Sequence, residues 1–304
     1  MNLKKKIIKS LKKVLNKLPY VNTLYKQSLN CNYPNGHYYS PVFSIEDVKK
    51  REAEIWKNID KEAIQGIDLQ LVEQKNLVSQ FYKYYAEQPF KPEKQPSVRY
   101  QFDNAYYSYT DGIILYSMIR YFKPKRIIEV GSGYSSMVML DTNELFFKNR
   151  IELTFIEHFP ERLSALMKAS DEKSTTLIKR SIQEISLSVF EVLDKGDILF
   201  IDSTHVSKTG SDVNYIFFEI LPLLKSGVLI HFHDIFYPFE YPKEWVFKGI
   251  NWNEDYILRA FLTYNDKFKI KYFSHYLHRF HKDVFNNMPL CFKSLGSSLW
   301  IQKQ

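Results

Sequence analysis

The 304-residue chain predicts an α/β protein: a mostly parallel, doubly wound sheet behind a helical N-terminal extension. Three observations carry this. Beyond residue 100, short β-rich apolar runs alternate with longer amphipathic segments, the pattern of a parallel sheet covered on both faces. A glycine-bearing turn, "IIEVGSGYSS", closes the first of those runs and opens a helical segment. The first 95 residues lack strand-like alternation altogether.

The extension begins with "MNLKKKIIKSLKKVLNKLPY", which holds seven lysines and no acid. Net charge is +8, so about +1 remains for the rest of the chain, and nucleic-acid binding finds little support. Leu3, Ile7, Leu11, Val14, Leu15 and Leu18 fall at helical spacing, with lysines on the other face. Residues 1–18 therefore read either as a peripheral contact with an anionic membrane or as a helix packed on protein. No apolar h-region or cleavage site makes this a signal peptide, and no window reaches the ~20 apolar residues of a membrane span. Cys31 and Cys291 form no pair of the Cys-x-x-Cys kind, which fits a reducing cytoplasm. The expected location is cytoplasmic, with the inner membrane face as its variant.

"SIEDVKKREAEIWKNIDKEAI" predicts a helix, with Ser44 and Asp47 as a capping arrangement. "NYPNGHYYSPVFS" reads as an irregular aromatic loop, and the three prolines of "EQPFKPEKQPS" mark a boundary near residue 95. The expected division is thus 1–95 and 96–304. In the second part the strands are "RIIEVG", "ELTFIEH", "TTLIKRS", "DILFIDS", "GVLIHFHD", "FKIKYFS" and "LGSSLWIQK". Between the first five, "SSMVMLDTNELFF", "ERLSALMKAS", "SIQEISLSVFEVL" and "DVNYIFFEILPLLK" predict helices. Ligands of such sheets bind beyond the carboxyl ends of the strands. That rule points to residues 129–136, 157–158, 179–183, 202–205 and 233–234.

The glycine turn limits the ligand. A hydride-transfer fingerprint carries a third glycine where this chain has Ser136, and holds a pyrophosphate that Glu129 would repel. A ligand with a positive centre and no phosphate suits the loop better, and S-adenosylmethionine has a sulfonium, an α-ammonium and no phosphate.

On Glu129-Val-Gly131-Ser-Gly133 the chain resembles the class I S-adenosylmethionine-dependent methyltransferases over residues 108–304. The resemblance implies a Rossmann-like, seven-stranded sheet whose last strand is antiparallel. It makes Glu129, Gly131, Ser132, Gly133 and Ser135 the cofactor loop, and Glu157, with His158 beside it, the acid on the ribose. "KRSIQE" would line the adenine through Ser181 and Gln183, and Asp202 would border the cofactor. The absence of an Asn/Asp-Pro-Pro-Tyr motif after the fourth strand argues against methylation of bases.

"FIDSTHVSKTGSDVNYIFFEILPLLKSGVLIHFHDI" resembles small-molecule and sugar O-methyltransferases, including metal-dependent relatives of catechol O-methyltransferase. That resemblance implies a divalent ion, Mg2+ or Mn2+, on Asp202, His233 and Asp234. Histidine at 233 weakens the case for magnesium, which prefers oxygen ligands. Metal binding and metal-free acid–base work both stay open for Asp202, His205, His233 and Asp234. His231 reads as a core residue, Asp212 as a helix-capping acid, and His275, His278 and His281 as solvated.

An aromatic lid over about 235–252 ("YPFEYPKEWVFKGINW") follows Asp234 and reads as a sugar-gripping wall or as a segment packed by its own rings. "NGHYYSPVFS" and "RYQFDNAYYS" are candidates to complete an acceptor pocket. The expected function is O-methylation of a sugar or glycan hydroxyl in surface-polysaccharide or related biosynthesis. N-methylation of an amino sugar or small molecule is the enzymatic alternative, and a non-catalytic membrane-surface partner that kept the fold the alternative of another class.

Overall fold

The computed structural model describes residues 10–11, 14–15, 17–29 and 31–304, and of 25–29 the backbone only. Its chain divides into two compact units. One runs up to Lys57 and takes in Lys243–Asn251; the other comprises Asn58–Pro242 and Trp252–Gln304. Residues 58–95, grouped with the extension on sequence, fall in the sheet-bearing unit, because the helix Leu71–Tyr85 packs on that unit's helix Tyr109–Phe122 and on its sixth strand.

The smaller unit holds helix α1 (Pro19–Leu29) and two short helices, Ile45–Lys50 and Glu52–Ile55. Ser44 caps the first of these, its hydroxyl accepting from Asp47 N at 3.2 Å. The single long helix expected here is interrupted at Arg51 and ends at Ile55. Lys243 pairs with Glu52 at 2.6 Å, and Trp56 meets Phe247 edge-on. In the early aromatic loop Tyr33 and Tyr38 stack on His37, and Tyr39 meets these rings at an angle. Of the amphipathic stretch, Leu3 and Ile7 lie outside the described residues, while Leu11, Val14, Leu15 and Leu18 are exposed. Among the described residues no helix is long and apolar enough to cross a membrane.

The larger unit carries all seven expected strands: β1 (Arg126–Val130), β2 (Glu152–Ile156), β3 (Thr175–Ile178), β4 (Ile198–Ile201), β5 (Leu229–Phe232), β6 (Phe268–Phe273) and β7 (Leu299–Lys303). They form one sheet in the order β3-β2-β1-β4-β5-β7-β6, with β7 alone antiparallel to its neighbours. Central strands β4 and β5 are buried along their whole length, so they read as unbroken apolar runs in the sequence. The longer helices of this unit are α2 (Leu71–Tyr85), α3 (Tyr109–Phe122), α4 (Tyr134–Thr142) and α5 (Glu254–Leu262).

Strand order reverses between the parallel neighbours β1 and β4, and a cleft opens at that switch point. Main-chain bonds continue the ladder past the strand ends there: Gly131 N donates to Ile156 O, Asp202 N to Val130 O, and His233 N to Ile201 O. Buried Arg99 then ties the segment before α3 to the loop helix. It pairs with Asp141 of α4 at 2.7 Å and with Asp171 at 2.5 Å. This fixes Tyr106 and Tyr107, a few residues on, relative to the glycine turn.

Candidate active site

The glycine turn is shaped by contacts that leave little choice of residue. Gly131 has φ +77°, and a Cβ there would stand 1.8 Å from the carbonyl oxygen of Asp202. A Cβ on Gly133 would make only an ordinary contact, with Arg162 Cδ at 3.6 Å, so the position is not crowded as Gly131 is. Ser136, in the place of a third glycine, donates to Glu129 Oε2 and accepts from Gly133 N at 3.0 Å. Ser135 occupies the other carboxylate oxygen at 2.5 Å. Glu129 is therefore fully buried and lines neither of the cavities described next; it organises the turn through two serines. Burial pushes its carboxyl up to about 8, against the pull of those hydroxyls.

Two cavities meet at the end of β4. The first, about 380 Å³, is lined by Gly131, Glu157, His158, Ser181, Gln183 and Asp202, among others. Glu157 accepts from Ser132 N at 2.9 Å and from Phe159 N at 2.8 Å, joining the glycine turn to the end of β2. The second, about 250 Å³, is bordered by Ser132, Gly133, Ser135, Arg162, His205, His233, Asp234 and the rings of Tyr106, Tyr107, Tyr134 and Trp252. Asp202, Ser203 and Thr204 belong to both. Asp212 holds that shared wall, accepting from Thr204 N at 2.8 Å and its hydroxyl at 2.7 Å, while Ser211 caps the helix Asp212–Tyr215.

His205, at φ +59°, is buried with its ring against Trp252. Its Nδ1 lies 2.7 Å from Glu254 Oε2; its Nε2 is 3.4 Å from Asp202 and 4.0 Å from Asp234. Burial opposes the charged ring, but Asp202 and Glu254 outweigh it and raise its pKa well above the ordinary 6.5. Asp202 is held below the usual carboxylate range: burial works against the charge, and the neighbouring His233 and His205 overcome it. His233 Nε2 stands 3.6 Å from Asp234 Oδ1, and Asp234 also accepts from Ser297 Oγ at 2.8 Å. Glu254, at the start of α5, is the residue that sequence reading missed. Main-chain bonds from Asn253 and Glu254 to His205 O lock the two segments together.

Asp202, His233 and Asp234 do not assemble as a metal set: among the described residues no three His, Cys, Asp or Glu side chains converge to share an ion. His275 and His278 are not solvated: His275 accepts from Tyr237 N at 3.0 Å, His278 stacks on Phe285, and burial lowers both to about 4. His281 meets Glu62 at 2.7 Å. In the lid segment, Phe236, Tyr237, Phe239 and Tyr241 are buried, and Trp252 at its end borders the cavity. His231 stacks flat on Phe200 as a core residue.

S-adenosylmethionine passes the corresponding test. The second cavity opens beside the turn, and three buried polar atoms of its residues have no hydrogen-bond partner: Ser132 Oγ, Tyr107 Oη and His233 Nδ1. Glu157, Asp202 and Asp212 line the first cavity together with Arg180 and Lys208.

A sheet of this order, with a carboxylate-organised glycine turn at its switch point, defines a methyltransferase core, and residues 128–235 match the family model described as a methyltransferase domain. The chain belongs to the class I S-adenosylmethionine-dependent methyltransferases. An uncharacterized protein of Archaeoglobus fulgidus is 33% identical over 171 residues, 55% of this chain and 76% of that one. Among solved structures, the O-methyltransferase TomG of Streptomyces achromogenes is similar, with 14% identity and TM-score 0.44, over 76% of this chain and 99% of that one. The Podospora anserina methyltransferase PaMTH1 shares 15% identity at TM-score 0.41, over 86% of this chain and 97% of its own.

Proposed function

We propose that this enzyme methylates a hydroxyl of a sugar or related polar ring compound, with His205 taking the hydroxyl proton. The observation that carries the reading is His205 itself, buried beside the wall common to both cavities, its Nδ1 fixed on Glu254 and its Nε2 turned toward Asp202 and Asp234.

In this reading Glu157, His158, Ser181 and Gln183 line the adenosine, and Gly131, Ser132, Gly133 and Ser135 carry the amino-acid end, with Glu129 setting the turn from behind. Bound there, S-adenosylmethionine supplies an electrophilic methyl whose bonding pair stays on sulfur when it leaves. The acceptor occupies the second cavity, oriented by the rings of Tyr106, Tyr107, Tyr134 and Trp252; four aromatic rings beside acidic groups support a sugar ring as occupant. Positioning an oxygen lone pair along the transfer axis removes much of the barrier. With Glu254 accepting from Nδ1, neutral His205 has its lone pair on Nε2. That atom takes the proton as the O–C bond forms, and the resulting imidazolium is stabilised by Asp202, Asp234 and Glu254. His233 adds positive charge near the developing oxyanion, since Asp234, Asp202 and Asp111 raise its pKa despite burial.

The test is incubation with S-adenosylmethionine and a panel of simple glycosides and amino sugars, read by mass spectrometry for one added CH2 unit. Modification on oxygen in the glycosides supports the reading. Modification confined to amines assigns the cavity to N-methylation instead.

A further inference from the structure

Among the described residues, Arg162 is the one cationic side chain bordering the second cavity that makes no ion pair, although its charge reaches Asp202 across the cavity. It stands on the helix Glu161–Leu166, just after β2, with its guanidinium 4.1 Å from the ring centroid of Tyr106. Tyr106 in turn stacks on Tyr134, so the guanidinium is backed by two aligned rings. Its Cδ lies over Gly133, at the open face of the turn. Among the described residues no carboxylate comes within ion-pair distance of it, although Asp202 borders the same cavity. Arg99, Arg120, Arg126 and Arg279 of this unit each pair with an acid, whereas Arg150, Arg180 and Arg259 show no such pair but lie outside this cavity. A guanidinium presents a rigid fork that matches a carboxylate in two parallel hydrogen bonds. Ser132 Oγ, on the same rim, is buried without a partner.

We propose that Arg162, held by Tyr106, is a carboxylate-binding residue of the reaction cavity, with Ser132 beside it. This rests on the proposed methyl transfer, which brings a carboxylate there from one of two sources. One is the amino-acid end of the donor; the other is an acidic group on the acceptor, as in a uronic acid. The recognition chemistry is the same for both.

Full-length wild type and Arg162→Gln are titrated calorimetrically with S-adenosylmethionine and with its decarboxylated analogue, which keeps the adenosine, sulfonium and amine. Methyl β-glucuronide and methyl β-glucoside are then compared as acceptors at saturating donor. If the donor supplies the carboxylate, Arg162→Gln weakens S-adenosylmethionine about 10- to 100-fold and leaves the analogue unchanged. If the acceptor supplies it, donor affinity is unaltered, and the wild type's preference for the glucuronide, read in kcat/KM, disappears in the variant. Arg162→Lys recovers part of either effect. A variant unchanged in both comparisons overturns the subsite while leaving the methyltransferase reading intact. A wild type that binds neither donor overturns both, and so tells the two failures apart. An unchanged thermal midpoint for this exposed position confirms that the variant is folded.

Discussion

Glu254 Oε2 lies 2.7 Å from His205 Nδ1, across forty-nine residues of sequence, and both side chains are buried at the reaction cavity. The pair fixes which nitrogen of His205 faces the acceptor. It also raises the pH at which the ring loses its proton.

His205 must be neutral to accept a proton, so kcat/KM rises with pH and levels off above an inflection higher than the ordinary 6.5. Removing the carboxylate withdraws negative charge from the imidazolium and moves that inflection down. Glu254→Gln should show a lower apparent pKa together with reduced kcat. His205→Ala should lose about 10²–10⁴ in kcat with donor affinity retained. An inflection that stays put in Glu254→Gln would remove Glu254 from the proton pathway.

Gly131 and Gly133 should respond differently to alanine. At Gly131 a methyl collides with the carbonyl of Asp202, and the backbone is left-handed, so Gly131→Ala lowers the thermal midpoint markedly. At Gly133 the methyl makes only an ordinary contact, with the flexible side chain of Arg162. Gly133→Ala therefore keeps its midpoint but binds S-adenosylmethionine at least tenfold more weakly, as calorimetry would read. Equal thermal losses at both positions would contradict this account of the turn.

Glu129 makes stability depend on pH in an unusual direction. In the folded chain its carboxyl keeps its proton up to about 8, whereas the unfolded chain loses it near the ordinary 4.5. The unfolded state is thus favoured progressively as pH rises through that window. Glu129's contribution is full below 4.5 and gone by about 8. Thermal midpoints of wild type should fall relative to Glu129→Gln between those limits. Parallel curves would mean that the carboxyl is already ionised.

The reaction should survive chelation. The proton acceptor and the carboxylates that stabilise it once protonated are supplied by His205, Asp202, Asp234 and Glu254, and among the described residues no three ligands gather as a metal set. Turnover lost on treatment with EDTA and restored by Mg2+ or Mn2+ would contradict this.

Much of this was legible in the sequence because it repeats locally. The seven strands announce themselves as apolar runs, and the strand-end rule places Asp202, His205, His233 and Asp234 together. What escaped depends on long-range partners. Glu254 sits in an aromatic stretch whose rings invite a packing or sugar-binding reading, and nothing local ties it to His205. His278 looks polar in sequence but is buried against Phe285. The helix expected from "SIQEISLSVFEVL" shrinks to Ile182–Glu184 and Ser188–Glu191. Ser186 accepts from Ser188 N there, offering the backbone a bond that competes with the helix. The role of Ser136 was half visible: its failure to be glycine excluded a pyrophosphate, but only the fold reveals that Glu129 needs its hydroxyl.

The central claim is that the turn over Gly131 and Gly133 receives a sulfonium donor, and calorimetric titration of the wild-type chain with S-adenosylmethionine tests it most directly. The account predicts one site per chain with micromolar affinity, competed by S-adenosylhomocysteine and unaffected by NAD. No heat of binding at millimolar S-adenosylmethionine, or a dinucleotide bound in its place, would contradict it.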